Sequence, residues 1–104
     1  MKNRIAGFDW DEGNKAKCQK HGVSIEEIEA LFSSDEFTVF NDDLHSMEEQ
    51  RFRVIGRNPN GRHIFLGFTF REVAGQKFIR VFTARYMHKK EIQNYAKKTS
   101  YTEN

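Results

Sequence analysis

The chain is poor in the residues that staple, break or span a fold. Cys18 is the only cysteine among 104 residues, so no disulfide can form within it. One proline and seven glycines leave no flexible tract to separate two domains. No apolar run approaches the roughly 20 residues a membrane-spanning helix needs. The segment Met1 to Gly13 lacks the apolar core of a secretory leader, and a reducing, cytoplasmic setting without membrane contact is expected. There is no glycine-rich phosphate loop, no GxSxG elbow, and no CxxC or HExxH pair. His21, His45, His63 and His88 have no metal-ligand partners at usable spacing; Cys18 stands three residues from His21 without a second pair to complete a site. No metal and no cofactor is expected.

What the chain has is arginine in one place. Seven of its eight arginines fall between positions 51 and 85: Arg51, Arg53, Arg57, Arg62, Arg71, Arg80 and Arg85. Residues 1–50 carry 5 Lys/Arg against 12 Asp/Glu, a net of −7, and residues 51–104 carry 12 against 3, a net of +9. Such segregation within one domain points to an acidic face and a basic face. Guanidinium is planar, permanently charged and able to grip phosphate through two parallel hydrogen bonds. The bland alternative is a set of solvated side chains.

The hydrophobic pattern predicts an α+β domain over residues 1–97, with 98–104 a frayed tail. Ile5 to Phe8 reads as an edge strand, followed by a polar helix that starts near Asp9, with Asp9 as a candidate cap and Trp10 pinning its start. Gly22 suits the stop of that helix after His21. Ser24 and Glu27 form a capping box before Ile25, Ile28, Leu31 and Phe32 at helical spacing. A short strand over Phe37 to Phe40 leads into an acidic loop, Asn41 to Glu49, that contains His45. Three strands follow, Arg51–Asn58, Arg62–Arg71 and Lys77–Arg85, joined by the turn signal Asn58-Pro59-Asn60-Gly61 and by a shorter turn at Ala74-Gly75. In the first, Phe52, Val54 and Gly56 oppose Arg51, Arg53, Ile55 and Arg57. In the second, Ile64, Leu66, Phe68 and Phe70 share a face. In the third, Ile79, Val81 and Thr83 oppose Phe78, Arg80 and Phe82. A helix from about Met87 to Lys97 closes the domain. The expected architecture is an antiparallel meander with the helices packed on one sheet face and arginines on the other.

Cutting RNA needs a base for the 2′-hydroxyl, positive charge for the crowded phosphorus centre, and an acid for the leaving oxygen. Sheet arginines suit the second task. Lys20, His21, His45 and Tyr86 are candidates for the others, and the residues alone do not choose among them. His21 also has an ordinary role beside the last carbonyls of a helix. Phe65 suits either the core or a stacked base. Arg80, set between Phe78 and Phe82, must lead its head group out of the core or pair it.

Several segments then line up with one family: Phe8-Asp9-Trp10-Asp11, Lys20-His21-Gly22-Val23-Ser24, Glu49-Gln50-Arg51-Phe52 with Ile55-Gly56, Arg71, and Arg80-Val81-Phe82-Thr83-Ala84-Arg85 before Glu91 and Tyr95. In this order, over residues 8–95, the chain resembles the BrnT toxins of type II toxin–antitoxin operons. It has Thr83 where that family typically has serine, which keeps the hydroxyl. The resemblance implies a compact RelE-like fold and a metal-independent endoribonuclease that arrests growth. It implies a BrnA-type antitoxin with a ribbon-helix-helix part, a 2:2 heterotetramer, and operator DNA bound only through that complex. Carried onto this chain, it implies a functional set of Lys20, His21, Arg51, Arg71, Arg80 and Arg85, of which Arg51, Arg80, Arg85, Lys20 and His21 are taken as catalytic. Arg53, Arg57 and Arg71 are assigned to RNA binding from the basic sheet. The competing expectation is a non-catalytic module that grips nucleic acid or a partner with the same arginines. Every version requires the guanidinium groups to converge on one open hollow.

Overall fold

The computed structural model describes residues 5–34, 36–42 and 50–102, with side chains to residue 97. His45, most of the acidic loop and the end of the tail lie outside the described residues. The described elements, in chain order, are β1 (Ile5–Phe8), α1 (Glu12–Gln19), α2 (Ile25–Ser33), β2 (Phe37–Asn41), β3 (Arg51–Arg57), β4 (His63–Val73), β5 (Gln76–Tyr86) and α3 (Lys89–Thr102). The class is α+β, as the pattern predicts.

Both first helices are set by their caps. Asp11, not Asp9, caps α1: its carboxylate accepts from the Asn14 amide while the Asn14 side chain accepts from the Asp11 amide. Asp9, just past β1, stays tied to β5 instead, its N–H donating to the Ile79 carbonyl. Ser24 and Glu27 close the expected box on α2. The turn between β4 and β5 places Ala74 and Gly75 at φ 52° and 78°, as a two-residue hairpin of matching twist requires. The closing helix starts at Lys89, later than expected, because Glu91 accepts from the His88 amide. It continues to Thr102, past the predicted end at Lys97.

The sheet order is β1-β5-β4-β3-β2. Strands β2 to β5 form the antiparallel meander. β1 pairs in parallel with β5, so the sheet is mixed rather than wholly antiparallel. Four residues of β1 carry no pattern that distinguishes the two directions. The direction follows from what comes next: past Ile79, α1 takes over the open edge of β5. There the Asn14 amide group and the Cys18 thiol both donate to the Val81 carbonyl, at 2.9 and 3.3 Å. Burial pushes that thiol up to about 11, so it stays protonated.

α1 and α2 cover one face of the sheet. The core there comprises Cys18, Val23, Ile28, Leu31, Phe32, Val54, Ile64, Leu66, Phe68, Ile79, Val81 and Ala84. Gly56 lies beneath α2, where a Cβ would come within 3.0 Å of Leu31 and Phe37. α3 does not join them. It lies against the other face, where Tyr95 packs on Phe40 and shares a hydrogen bond with Thr38, a strand residue opposite Ile55. The expectation of helices on one face therefore fails, for a physical reason: Ile55, Phe65 and Phe40 also need cover, and they point away from α2.

Phe68 is fully buried, edge-on to Phe32 and Phe70 and stacked on Phe52. Replacing it with alanine should cost about 3–5 kcal/mol. Denaturant unfolding should show a lower midpoint with little change in slope.

Candidate functional site

Strand register maps the arginines. On the face that α3 shares, Arg51 lies opposite Thr69, and Thr69 opposite Arg80. The next row is Arg53, Gly67 and Thr83, and the next is Ile55, Phe65 and Arg85. Neighbouring strands are about 4.8 Å apart, so Arg51 and Arg80 straddle roughly 10 Å of sheet.

One irregularity makes this possible. Arg80 and Arg85 are five residues apart, and strict alternation would put them on opposite faces. The pairings Phe68 with Val81 and Gly67 with Thr83 leave Phe82 as the extra residue of a β-bulge. Arg80, Phe82, Thr83 and Arg85 therefore meet on one face, while Ala84 and Tyr86 turn to the other. The expected alternation of β5 holds to Val81 and inverts at Thr83. Gly67 makes room for the bulge: a Cβ there would come within 2.8 Å of the Phe82 ring and 2.9 Å of Thr83. The Arg51 guanidinium lies over the Phe82 ring, 4.7 Å from its centre.

The head groups do not all open to solvent in the same way. Arg80 donates to Asp11 at 2.8 Å and to Asp9 at 3.3 Å, and Arg71 also reaches Asp9 at 3.3 Å. The Asn14 amide, and then Arg80, hold the Asp11 carboxyl below its ordinary range. Arg85 is gripped by both oxygens of Glu91 at 2.8 Å and lies over Phe65, 4.7 Å from its centre. Arg57 faces Glu36 at 3.9 Å. Arg53 is exposed and lines a hollow of about 290 Å³ with Phe40, Ile55, Phe65, Met87, Glu91, Asn94 and Tyr95. That hollow is where α3 meets the arginine face.

Lys20 and His21 lie elsewhere. Both are exposed on the turn between α1 and α2, which rests on Tyr86 from the opposite side of the sheet. There the Tyr86 hydroxyl donates to Glu27 at 2.8 Å, Asn58 donates to the same carboxylate at 3.0 Å, and Arg62 stacks on the Tyr86 ring at 3.6 Å. Burial pushes the Glu27 carboxyl up, but donors from Asn58, Tyr86 and Ser24 outweigh it and leave the group below its usual range. Accepting from Tyr86, Glu27 in turn raises the phenol.

The structure thus gathers Arg51, Arg53, Arg57, Arg71, Arg80 and Arg85 on one face, with Arg71 reaching Asp9 from β4 and Arg57 facing Glu36 from β3. It puts Lys20 and His21 on the other side of the sheet, on the turn whose Gly22 carbonyl meets the Tyr86 hydroxyl. The roles of Asp9 and Asp11 as arginine partners were not predicted, since ion pairing across 71 or 69 positions leaves no local pattern; Glu91 stands six positions from Arg85, but the pair joins a strand to the helix that follows, a spacing with no fixed geometry. Phe82 had a detectable signal: Gly67 inside an otherwise strong strand marks a bulge or a close approach.

Residues 10–91 match the family described as the ribonuclease toxin BrnT of type II toxin–antitoxin systems. The chain belongs to that family. The match spans every residue discussed at the arginine face and at the Tyr86 end except Tyr95, Asn94 and Asp9. Comparison with curated proteins finds no match. For a BrnT toxin, a protein antitoxin and an RNA substrate follow from the family's description.

The Arg85 grip, and then the His88 amide, hold the Glu91 carboxyl at about 2. A depressed carboxyl contributes stability that is present above its unfolded value, near 4.5, and lost as pH falls towards 2. NMR titration should therefore place the Glu91 carboxyl well below the other glutamates. In Arg85→Ala it should move up towards the ordinary range, and α3 should loosen from the sheet at a higher pH than in the parent.

Proposed function

We propose that this chain is a metal-independent endoribonuclease on a RelE-like scaffold, a cytoplasmic toxin that arrests growth by cutting RNA. The observation that carries this reading is the bulge that brings Arg51, Arg53, Arg80 and Arg85 onto one face beside an open hollow. Arg51, Arg53 and Arg85 hold and neutralise the scissile phosphate. Glu91 now offers Arg85 two oxygens, as a phosphodiester would, so RNA enters by exchanging phosphate for carboxylate. Arg80 and Arg71 are balanced by Asp9 and Asp11, and this neutral cluster fixes the end of the face beside β1 until a phosphate displaces a carboxylate. Lys20 and His21, with Arg62 beside them, take the RNA strand as it passes the end of β5, and assist proton transfer or bind a neighbouring phosphate. Arg57 extends the phosphate track towards β2. The 2′-oxygen attacks phosphorus, the 5′-oxygen leaves, and the product is a 2′,3′-cyclic phosphate or its 3′-phosphate hydrolysis product.

Among the described residues no three of His, Cys, Asp and Glu gather at one point. No helix among the described residues is long and apolar enough to cross a membrane. A BrnA-type antitoxin with a ribbon-helix-helix part completes the system as a 2:2 complex, and operator DNA is bound only through that complex.

The ion pairs on Arg80 and Arg85 favour a second reading, in which the face docks RNA or an acidic antitoxin segment without cutting. Expression of the chain without its partner separates the two. Growth arrest with cleaved total RNA is expected. Arg85→Ala and Arg51→Ala should each lower single-turnover cleavage by roughly 10²-fold, the loss typical when one charge-stabilising donor is removed. Intact RNA despite tight, salt-sensitive binding would favour the docking module.

A further inference from the structure

We propose that Phe82, with the Arg51 guanidinium, is a stacking platform for one unpaired nucleobase of the RNA. This rests on the ribonuclease reading and goes beyond it, because it assigns a contact that selects single strands. Three observations carry it. Phe82 is only partly buried and belongs neither to the core cluster nor to the rings packed around it. Its ring sits over Gly67, where any larger residue would collide with it at 2.8 Å, so the backbone has given up a side chain to seat it there. Register then surrounds it with Arg51 and Arg53 on β3 and with Arg80 and Arg85 on β5.

The Phe82 ring is half-buried and already lies against one flat cation, the Arg51 guanidinium at 4.7 Å, so a flat π-faced group would extend a stack that has begun. A ring flanked by guanidinium groups suits a chain with charged linkers and flat π-faced substituents. Single-stranded RNA is such a chain, and its bases stack on aromatic rings and arginine planes. Bases within a duplex are already stacked on each other and cannot reach the ring.

The test uses single-stranded RNA with 2′-O-methyl at every position, which cannot be cut, and measures binding by fluorescence anisotropy. Phe82→Leu should weaken binding by roughly 5- to 150-fold, the range for losing one base–aromatic stack. Phe82→Tyr should bind as the parent does. The salt dependence should be unchanged in Phe82→Leu, whereas Arg53→Ala should lower the slope by about 1. The same oligonucleotide scanned with a single abasic position should show one sensitive position for the parent chain, and none for Phe82→Leu. The parent scan needs no variant, so it decides the matter even if Phe82→Leu does not fold. Parent binding with no sensitive abasic position, or Phe82→Leu binding like the parent, overturns the platform and leaves the ribonuclease reading intact. A parent chain that binds no RNA at all overturns both.

Discussion

One residue too many in β5 organises this molecule. Without the bulge at Phe82, Arg85 would point into the layer occupied by Ile64, Leu66 and Ala84, where an unpaired charge would cost several kcal/mol. The bulge reverses the side-chain alternation after Val81. Its effect runs both ways: Ala84 and Tyr86 move to the helix side, where one is fully buried and the other binds Glu27. The arginine face gains a sixth arginine and the opposite face gains its closing aromatic from the same local defect. The room for it comes from the neighbouring strand, at Gly67.

The charge segregation of the sequence is not a simple two-sided dipole. Acidic residues from the N-terminal half cross to the basic sheet: Asp9 and Asp11 hold Arg80, and Glu36 faces Arg57. Glu91 does the same for Arg85 from α3. Exposed ion pairs of this kind add little to stability. Their structural effect is to aim the guanidinium groups, and their chemical effect is to fill each one with an oxygen anion that another oxygen anion can replace. A surface built this way is ordered in advance, which lowers the loss of side-chain entropy on binding an anion.

The molecule has two basic ends rather than one continuous site. The sheet face carries the six strand arginines and the hollow under α3. The Tyr86 end carries Arg62, Lys20 and His21 around a locked Glu27. They meet along β5, where Arg85 and Tyr86 are consecutive and point to opposite sides. The proposed RNA path over that end of the sheet would touch both.

Much of this was legible in the residue order. The capping box of α2, the alternation of β3 and β4, the turn at Asn58 to Gly61 and the core set of Ile64, Leu66 and Phe68 are local matters of period and turn chemistry, and the chain alone determined them. So was family membership, through short segments in a fixed order. The rest needed contacts between distant segments. The parallel pairing of β1 follows from where α1 must lie, and the placement of α3 from apolar residues on the second face. Which arginines are held by carboxylates is set by neighbours far away in the chain. The facing of Arg85 turned on a single unpaired residue, because a strand's side chains repeat every two positions and an inserted one exchanges the faces of all that follow.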